Sequence, residues 1–79
     1  MTIHKNDIIN LIKEMGLLIE TEKLINDKPL AEQGIDSLDM INIFFKLEEN
    51  FKIKIPEEDI EKLKTIDDIV EYLNKKMLD

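Results

Sequence analysis

The sequence lacks cysteine altogether and contains one histidine, two glycines and two prolines among its 79 residues. Without cysteine the chain can form neither a disulfide nor a thiolate metal site, which favours a cytoplasmic domain stabilised by packing alone. His4 lies near the N-terminus, where we expect it to be solvated. A triad, a general-base pair or a zinc site cannot be assembled around this one histidine.

Long apolar runs and an excess of basic residues are also missing. No stretch approaches the roughly 20 apolar residues of a membrane span, and residues 1–5 lack the apolar core of a signal peptide, so we expect neither insertion nor export. The 11 lysines are outnumbered by 18 acidic residues, for a net charge of -7. This charge disfavours nucleic acid and favours basic protein partners, although it also serves solubility alone.

The length and the acidic clusters further narrow the possible functions. A chain of 79 residues holds one domain, which we assign to residues 1–79, and a deep catalytic cleft would compete with its core. The acidic clusters lack the spaced oxygen ligands and central glycine of a calcium loop, so no metal site is predicted. We therefore do not expect an enzyme.

The first half of the chain predicts one helix followed by a long loop. Apolar residues at helical spacing predict a helix near residues 3–15, and Gly16 suits the cap that ends it. No period holds from residue 17 to residue 35, and residues 26–29 have turn chemistry. Apolar residues nevertheless recur in this loop and predict that it is pinned to the core. The helix stripe is Ile8, Leu11, Ile12 and Met15, and the loop anchors are Leu18, Leu24, Ile25, Leu30 and Ile35.

The second predicted helix, from residues 36–37 to about Asn50, carries two apolar stripes. The first is the single stripe that a helix buries against a core. The second is interleaved with polar and acidic residues and predicts an exposed docking surface, the alternative being a more completely buried helix. The first stripe is Met40, Ile43, Phe44, Leu47 and Phe51, and the second is Leu38, Ile41 and Phe45.

The remainder predicts a connector and two more helices. Residues 52–55 alternate like a strand but have no partner strand, which indicates an extended connector. A short helix is predicted from Pro56 to about Lys62, and Thr65 and Asp68 predict a capping box that opens the last helix. The predicted fold is all-α, a small four-helix bundle of three main helices and one short helix. The stripe of the last helix is Ile66, Ile69, Val70, Leu73 and Met77, followed by Lys75 and Lys76 at the negative end of its dipole.

Residues 34–39 read Gly-Ile-Asp-Ser-Leu-Asp and resemble the attachment motif of acyl carrier proteins. Residues 47–51, 53–59 and 65–72 are also similar to this family, so the resemblance covers nearly the whole chain. It implies a free-standing, monomeric carrier with a 4'-phosphopantetheine arm. Coenzyme A would donate the arm, and a phosphopantetheinyl transferase would attach it to Ser37. The thiol at the end of the arm would carry acyl groups in fatty-acid or related acyl and polyketide biosynthesis.

Elementary chemistry supports Ser37 as the attachment site. A phosphodiester on a serine at a helix N-terminus lies beside free N–H groups and the positive dipole end. With no base nearby in sequence, the serine is expected to accept a group from another enzyme rather than act as a nucleophile alone. The predicted partners are the transferase and acyl-handling enzymes with basic docking patches. The residues predicted to contact these partners are Asp36, Leu38, Asp39, Ile41, Phe45, Glu48 and Glu49.

Three positions depart from the fatty-acid carrier pattern. Asn42 stands where a glutamate is usual, which predicts a less acidic docking face. Ile60 and Ile69 stand where small residues commonly line the acyl pocket, which predicts a narrowed pocket. Two alternatives stay open. One is a dedicated carrier of short acyl, aminoacyl or peptidyl groups, and the other is a carrier-like interaction subunit with Ser37 unmodified.

Overall fold

The chain folds into helices joined by turns. A computed structural model describes residues 2–17 and 19–77, and within them there are four α-helices, two short 3₁₀ turns (Thr21–Lys23 and Leu30–Gln33) and no strand. The predicted all-α class, with three main helices, one short helix and a long first loop, is confirmed. No helix in these two ranges is long and apolar enough to cross a bilayer. The helices are α1 Lys5–Glu14, α2 Ser37–Phe51, α3 Glu57–Ile60 and α4 Ile66–Lys76.

Helix α1 begins and ends where its free backbone groups find partners. The Asp7 carboxylate accepts a hydrogen bond from the His4 N–H at 2.8 Å and places a negative charge at the positive end of the helix dipole. Gly16 follows the helix with φ 70°, in the left-handed region where the sequence predicts a cap. The predicted stripe faces the core, with Ile8, Leu11 and Ile12 buried and Met15 half-buried.

The helix starts later than predicted because Ile3 serves as an extended anchor. Its side chain is buried, and Asn74 of α4 holds its backbone. The Ile3 N–H donates to Asn74 Oδ1 at 2.7 Å, and Asn74 Nδ2 donates to the Ile3 carbonyl at 3.0 Å. The amide side chain supplies one acceptor and one donor, as a neighbouring strand would. This contact joins the first residues to the last helix.

Gln33 orders the long loop between α1 and α2. Its Nε2 donates to the Ile25 carbonyl at 2.9 Å and to the Lys28 carbonyl at 2.8 Å, and its Oε1 accepts from the Ile25 N–H at 2.7 Å. The prediction that Ile25 anchors the loop through its side chain is wrong, since that side chain is 50% exposed. The loop is held there through its backbone instead.

The other predicted loop anchors behave differently from Ile25. Leu30 and Ile35 are fully buried, and Leu24 is half-buried against the core. Leu18 lies outside the described residues. Apolar burial therefore pins the second half of the loop more firmly than its middle.

Two backbone hydrogen bonds tie this loop to the turn before α4 and to the first turn of α4. The Leu30 N–H donates to the Lys64 carbonyl at 2.8 Å, and the Asp67 N–H donates to the Asn26 carbonyl at 3.0 Å. These bonds satisfy backbone N–H and C=O groups that have no partner within a helix. The loop is thus held against the start of α4.

Helix α2 presents two different faces, as its two apolar stripes predict. Ile43, Phe44 and Leu47 are buried in the core. The side chains of the second stripe are exposed, with Leu38 at 66%, Ile41 at 47% and Phe45 at 61%. The alternative of a completely buried α2 is therefore wrong. We call Leu38, Ile41 and Phe45 the apolar strip.

Helix α4 opens with the predicted capping box. Thr65 Oγ1 accepts from the Asp68 N–H at 2.9 Å, and Asp68 Oδ2 accepts from the Thr65 N–H at 3.2 Å. Two free donors at the helix start are satisfied reciprocally in this way. The helix then buries Ile66, Ile69 and Leu73 against the core.

Helix α3 is held by its flanks, by the half-buried Ile60 and by one side-chain hydrogen bond. None of its residues is buried, whereas Ile55 before it and Leu63 after it are. The Tyr72 hydroxyl on α4 donates to Asp59 Oδ2 at 2.7 Å. Burial, with a further contribution from this hydrogen bond, raises the pKa of Tyr72 above its ordinary value and keeps the hydroxyl a neutral donor.

Candidate functional site

Ser37 is the first residue of α2, and the turn before it fixes its position. Gly34 has φ 94°, a left-handed conformation that a side chain disfavours, and Ile35 is buried. Asp36 then caps the helix, since its Oδ1 accepts from the Asp39 N–H at 2.8 Å. Ser37 itself is exposed. A rigid turn therefore presents this serine to solvent at a defined place.

The backbone around Ser37 suits an anionic group. The N–H groups of Ser37 and Leu38 have no partner within the helix, because an α-helix leaves its first donors free and Asp36 satisfies that of Asp39. These donors and the positive end of the helix dipole favour negative charge. The Ser37 hydroxyl can accept such a group from a separate enzyme.

Two carboxylates flank this serine. Partial burial of Asp39, and then the nearby negative charge of Asp36 and a hydrogen bond between the two side chains, raise the pKa of Asp39 above its ordinary value. A basic partner that approaches Ser37 would relieve this repulsion. The two carboxylates are therefore well placed to attract cationic side chains.

An apolar groove of about 600 Å³ opens beside Ser37. We define the groove by its apolar walls Ile35, Met40, Phe44, Ile60 and Leu63, and Asp36 and Lys64 lie on its polar rim. Ile60 lines this groove. Ile69 does not line it, because α4 directs this side chain into the core, where it is fully buried.

The predicted partner residues fall into two groups. The apolar strip, Asp36 and Glu49 are exposed, and Asp39 is partly exposed. Glu48 differs, because its Oε2 accepts a hydrogen bond from the buried Ile55 amide at 2.8 Å. Its carboxylate fastens the connector between α2 and α3 to α2 and is less free to meet a partner.

Sequence reasoning did not identify a notch at the far end of the apolar strip. Phe45 and Met15 border it, with Lys46 and the carboxylates of Glu14 and Glu49 around it. Met15 belongs to the α1 stripe, and only the packing of α1 on α2 brings it next to Phe45. No pattern within either helix signals this juxtaposition.

Comparisons with known proteins agree on one family. A family model described as "Phosphopantetheine attachment site" matches residues 7–73. The chain is 33% identical to the acyl carrier protein of Thermosynechococcus vestitus, over 95% of this chain and 98% of that protein. It is 35% identical to the acyl carrier protein of Bdellovibrio bacteriovorus, over 96% of both chains.

A solved structure shows the same fold. The solution structure of an Anaplasma phagocytophilum protein described as an acyl carrier protein superposes with a TM-score of 0.80 at 32% sequence identity. The match covers 95% of this chain and 89% of the other. The sequence and fold comparisons therefore lead to the same family.

The perturbed titration of Asp39 is testable. Asp36→Asn keeps a good N-cap but removes the neighbouring charge, so the pKa of Asp39 should fall toward its ordinary value in an NMR carboxyl titration. The pKa of Asp39 is higher in the folded than in the unfolded chain, so the ionised Asp36–Asp39 pair should lower the free energy of unfolding at neutral pH. This destabilisation should shrink as the pH falls and Asp39 becomes protonated. Glu49→Gln is the control and should leave Asp39 unchanged. An unaltered Asp39 pKa in Asp36→Asn would contradict the electrostatic cause.

Proposed function

This chain belongs to the phosphopantetheine-attachment family of acyl carrier proteins, and we propose that it carries acyl groups as thioesters on an arm attached to Ser37. The prosthetic group of the family is 4'-phosphopantetheine, whose thiol supplies thioester chemistry that a chain without cysteine lacks. The observation that carries the proposal is the exposed Ser37 at the start of α2, inside the motif of residues 34–39 and beside the groove. We further propose a role in fatty-acid or related acyl and polyketide biosynthesis.

The residues around Ser37 fit a phosphodiester-linked arm. The free N–H groups of Ser37 and Leu38 would stabilise a phosphate on the serine oxygen. Asp36 holds the helix start through its bond to the Asp39 amide, so the attachment point does not fray. The exposed hydroxyl is open to a phosphopantetheinyl transferase, which would recognise it through Asp36, Leu38 and Asp39.

The apolar strip is the proposed docking face for enzymes that load, modify or unload the acyl group. Its three side chains are largely exposed and lie between the carboxylates near Ser37 and Glu49, which suits a partner with apolar residues inside a basic patch. Asn42 is exposed on the same helix and is neutral, whereas fatty-acid carriers usually have a glutamate at this position. The docking face is therefore less acidic at this point, which suits cognate enzymes that make fewer basic contacts there.

The groove is the proposed resting place of the acyl chain. Its walls are aliphatic and aromatic, and it opens next to Ser37. Ile60 occupies space in this groove, so a short acyl group fits better than a long one. This observation favours, as a second candidate function, a dedicated carrier of short acyl units.

Attachment of the arm is the first test. Incubation with coenzyme A and a broad-specificity phosphopantetheinyl transferase should add one arm per chain, measured by intact mass, with the adduct on Ser37 in fragment spectra. Ser37→Ala should abolish the gain and stay folded, because a change at a helix start costs only about 1 kcal/mol. An adduct that survives Ser37→Ala would refute the site, and a chain that gains no mass would favour an unmodified interaction subunit.

The docking face can be separated from the core within one helix. Phe45→Glu should lower the rate of acyl transfer to a cognate enzyme at least about tenfold, as expected for the loss of an interface anchor. Its stability should change by no more than about 0.5 kcal/mol, because Phe45 is exposed. Leu47→Ala should do the reverse and cost about 2 to 5 kcal/mol, because Leu47 is fully buried.

Asn50→Glu is the matched control for the added charge. It introduces the same carboxylate on α2 at an exposed position that borders Ile3 and Leu11, away from the apolar strip. Transfer should be nearly unaffected in this variant. Equal losses of transfer in Asn50→Glu and Phe45→Glu would point to net charge and would rule out a local docking face.

The cargo proposal predicts a limit on chain length. Each methylene that enters the groove should add about 0.8 kcal/mol, until further length overpacks the interior at a cost of about 1 to 3 kcal/mol. Melting temperatures of the acylated protein should therefore rise with short chains and then level off. Ile60→Ala should move the plateau to longer chains, whereas Ile69→Ala, a core variant, should only destabilise. A plateau that Ile60→Ala does not move would contradict the role of Ile60.

A further inference from the structure

The groove has one wall that the core holds less firmly than the others. Ile35, Met40 and Phe44 stand in segments that contain fully buried residues. Ile60 is half-buried and packs on the core, but it belongs to α3, a helix of four residues none of which is fully buried, flanked by an extended connector and a turn. Segments with few buried apolar groups open most easily. The width of the groove therefore depends on what keeps α3 in place.

The contact between Asp59 and Tyr72 crosses from α3 to α4 next to this wall. Asp59 precedes Ile60 in the sequence, and its Oδ2 accepts from the Tyr72 hydroxyl at 2.7 Å. A carboxylate acceptor makes this hydrogen bond stronger than a neutral one. Both side chains are half-buried, which limits competition from water.

Lys76 completes the arrangement on α4. Its Nζ donates to the Tyr72 hydroxyl oxygen at 3.2 Å and lies 5.4 Å from the centre of the ring. The lysine thus restrains the ring by a hydrogen bond and a cation–π contact one helical turn away. Tyr72 is held in the orientation that points its hydroxyl at Asp59.

We propose that the Asp59–Tyr72 hydrogen bond is a latch that fixes α3 against α4 and so sets how far the groove beside Ser37 opens to its cargo. Asp59 and Tyr72 are positioning residues, since neither lines the groove. With the latch closed, Ile60 keeps the groove narrow. With it broken, α3 moves on its connector and turn, and longer chains enter. The cargo part of this inference rests on the proposed function, whereas the latch itself does not.

Amide exchange in the unmodified full chain tests the latch directly. Four amides report on α3 and the turn after it, because the N–H groups of Asp59, Ile60, Lys62 and Leu63 donate to carbonyls within this segment. Tyr72→Phe removes one hydroxyl and keeps the ring. We expect exchange at these amides, measured by NMR, to accelerate about tenfold or more, the factor that corresponds to losing a hydrogen bond to a charged group.

Two controls separate a local latch from general stability. Asn74→Ala removes the two hydrogen bonds that join α4 to Ile3. In this variant, exchange at the α3 amides should not accelerate more than exchange at the α2 amides. Glu58→Gln removes an exposed carboxylate from α3 itself and should leave exchange unchanged. Asp59→Asn gives a second route if Tyr72→Phe folds poorly, since it weakens the same bond from the other side.

The outcomes are distinct. Faster exchange confined to α3 in Tyr72→Phe and Asp59→Asn supports the latch. Equal acceleration in α2 and α3, or unchanged α3 exchange, overturns it. In the acylated protein, Tyr72→Phe should move the melting plateau to longer chains, and an unmoved plateau would overturn the control of cargo. If Ser37 accepts no arm, the proposed function fails, while the exchange experiment still decides the latch.

Discussion

The hydrogen bond from the Leu30 amide to the Lys64 carbonyl joins two segments that are far apart in the sequence and that both border the groove. Burial of the Leu30 side chain protects this bond from water. Once the loop is fastened there, Ile35 enters the core and Gly34 can make its left-handed turn into α2. The position of Ser37 therefore depends on a contact outside α2, between a long loop and the turn before the last helix.

Much of the fold could be predicted from the sequence because its signals are local. Helix periodicity, the cap at Gly16 and the box between Thr65 and Asp68 involve neighbours within one or two turns, and all are found. The exposed apolar strip was also predictable, since one helix in so small a bundle cannot bury two stripes. Ser37 could likewise be predicted as the attachment site, because the motif of residues 34–39 is a continuous stretch of sequence.

The contacts that hold the long loop and α3 in place could not be predicted, because they are irregular side-chain contacts. The hydrogen bonds of Gln33 within its loop and the bond between Asp59 and Tyr72 follow no periodic pattern in the sequence. Ile69 shows the same limit. Its bulk was evident from the sequence, but only the packing of α4 shows that it fills the core and leaves the groove to Ile60. Adjacent positions such as Phe44 and Phe45, 3% and 61% exposed, show how steeply these environments change along α2.

Tyr72 is the single tyrosine of a chain that contains no tryptophan. Its ultraviolet absorbance, fluorescence and near-ultraviolet circular dichroism therefore arise from one side chain at the junction of α3 and α4, apart from the weak background of the phenylalanines. The protein thus carries an intrinsic optical probe in the contact that restrains its least buried helix. A movement of α3 against α4 therefore becomes visible in unlabelled protein as a change in the environment of this one chromophore.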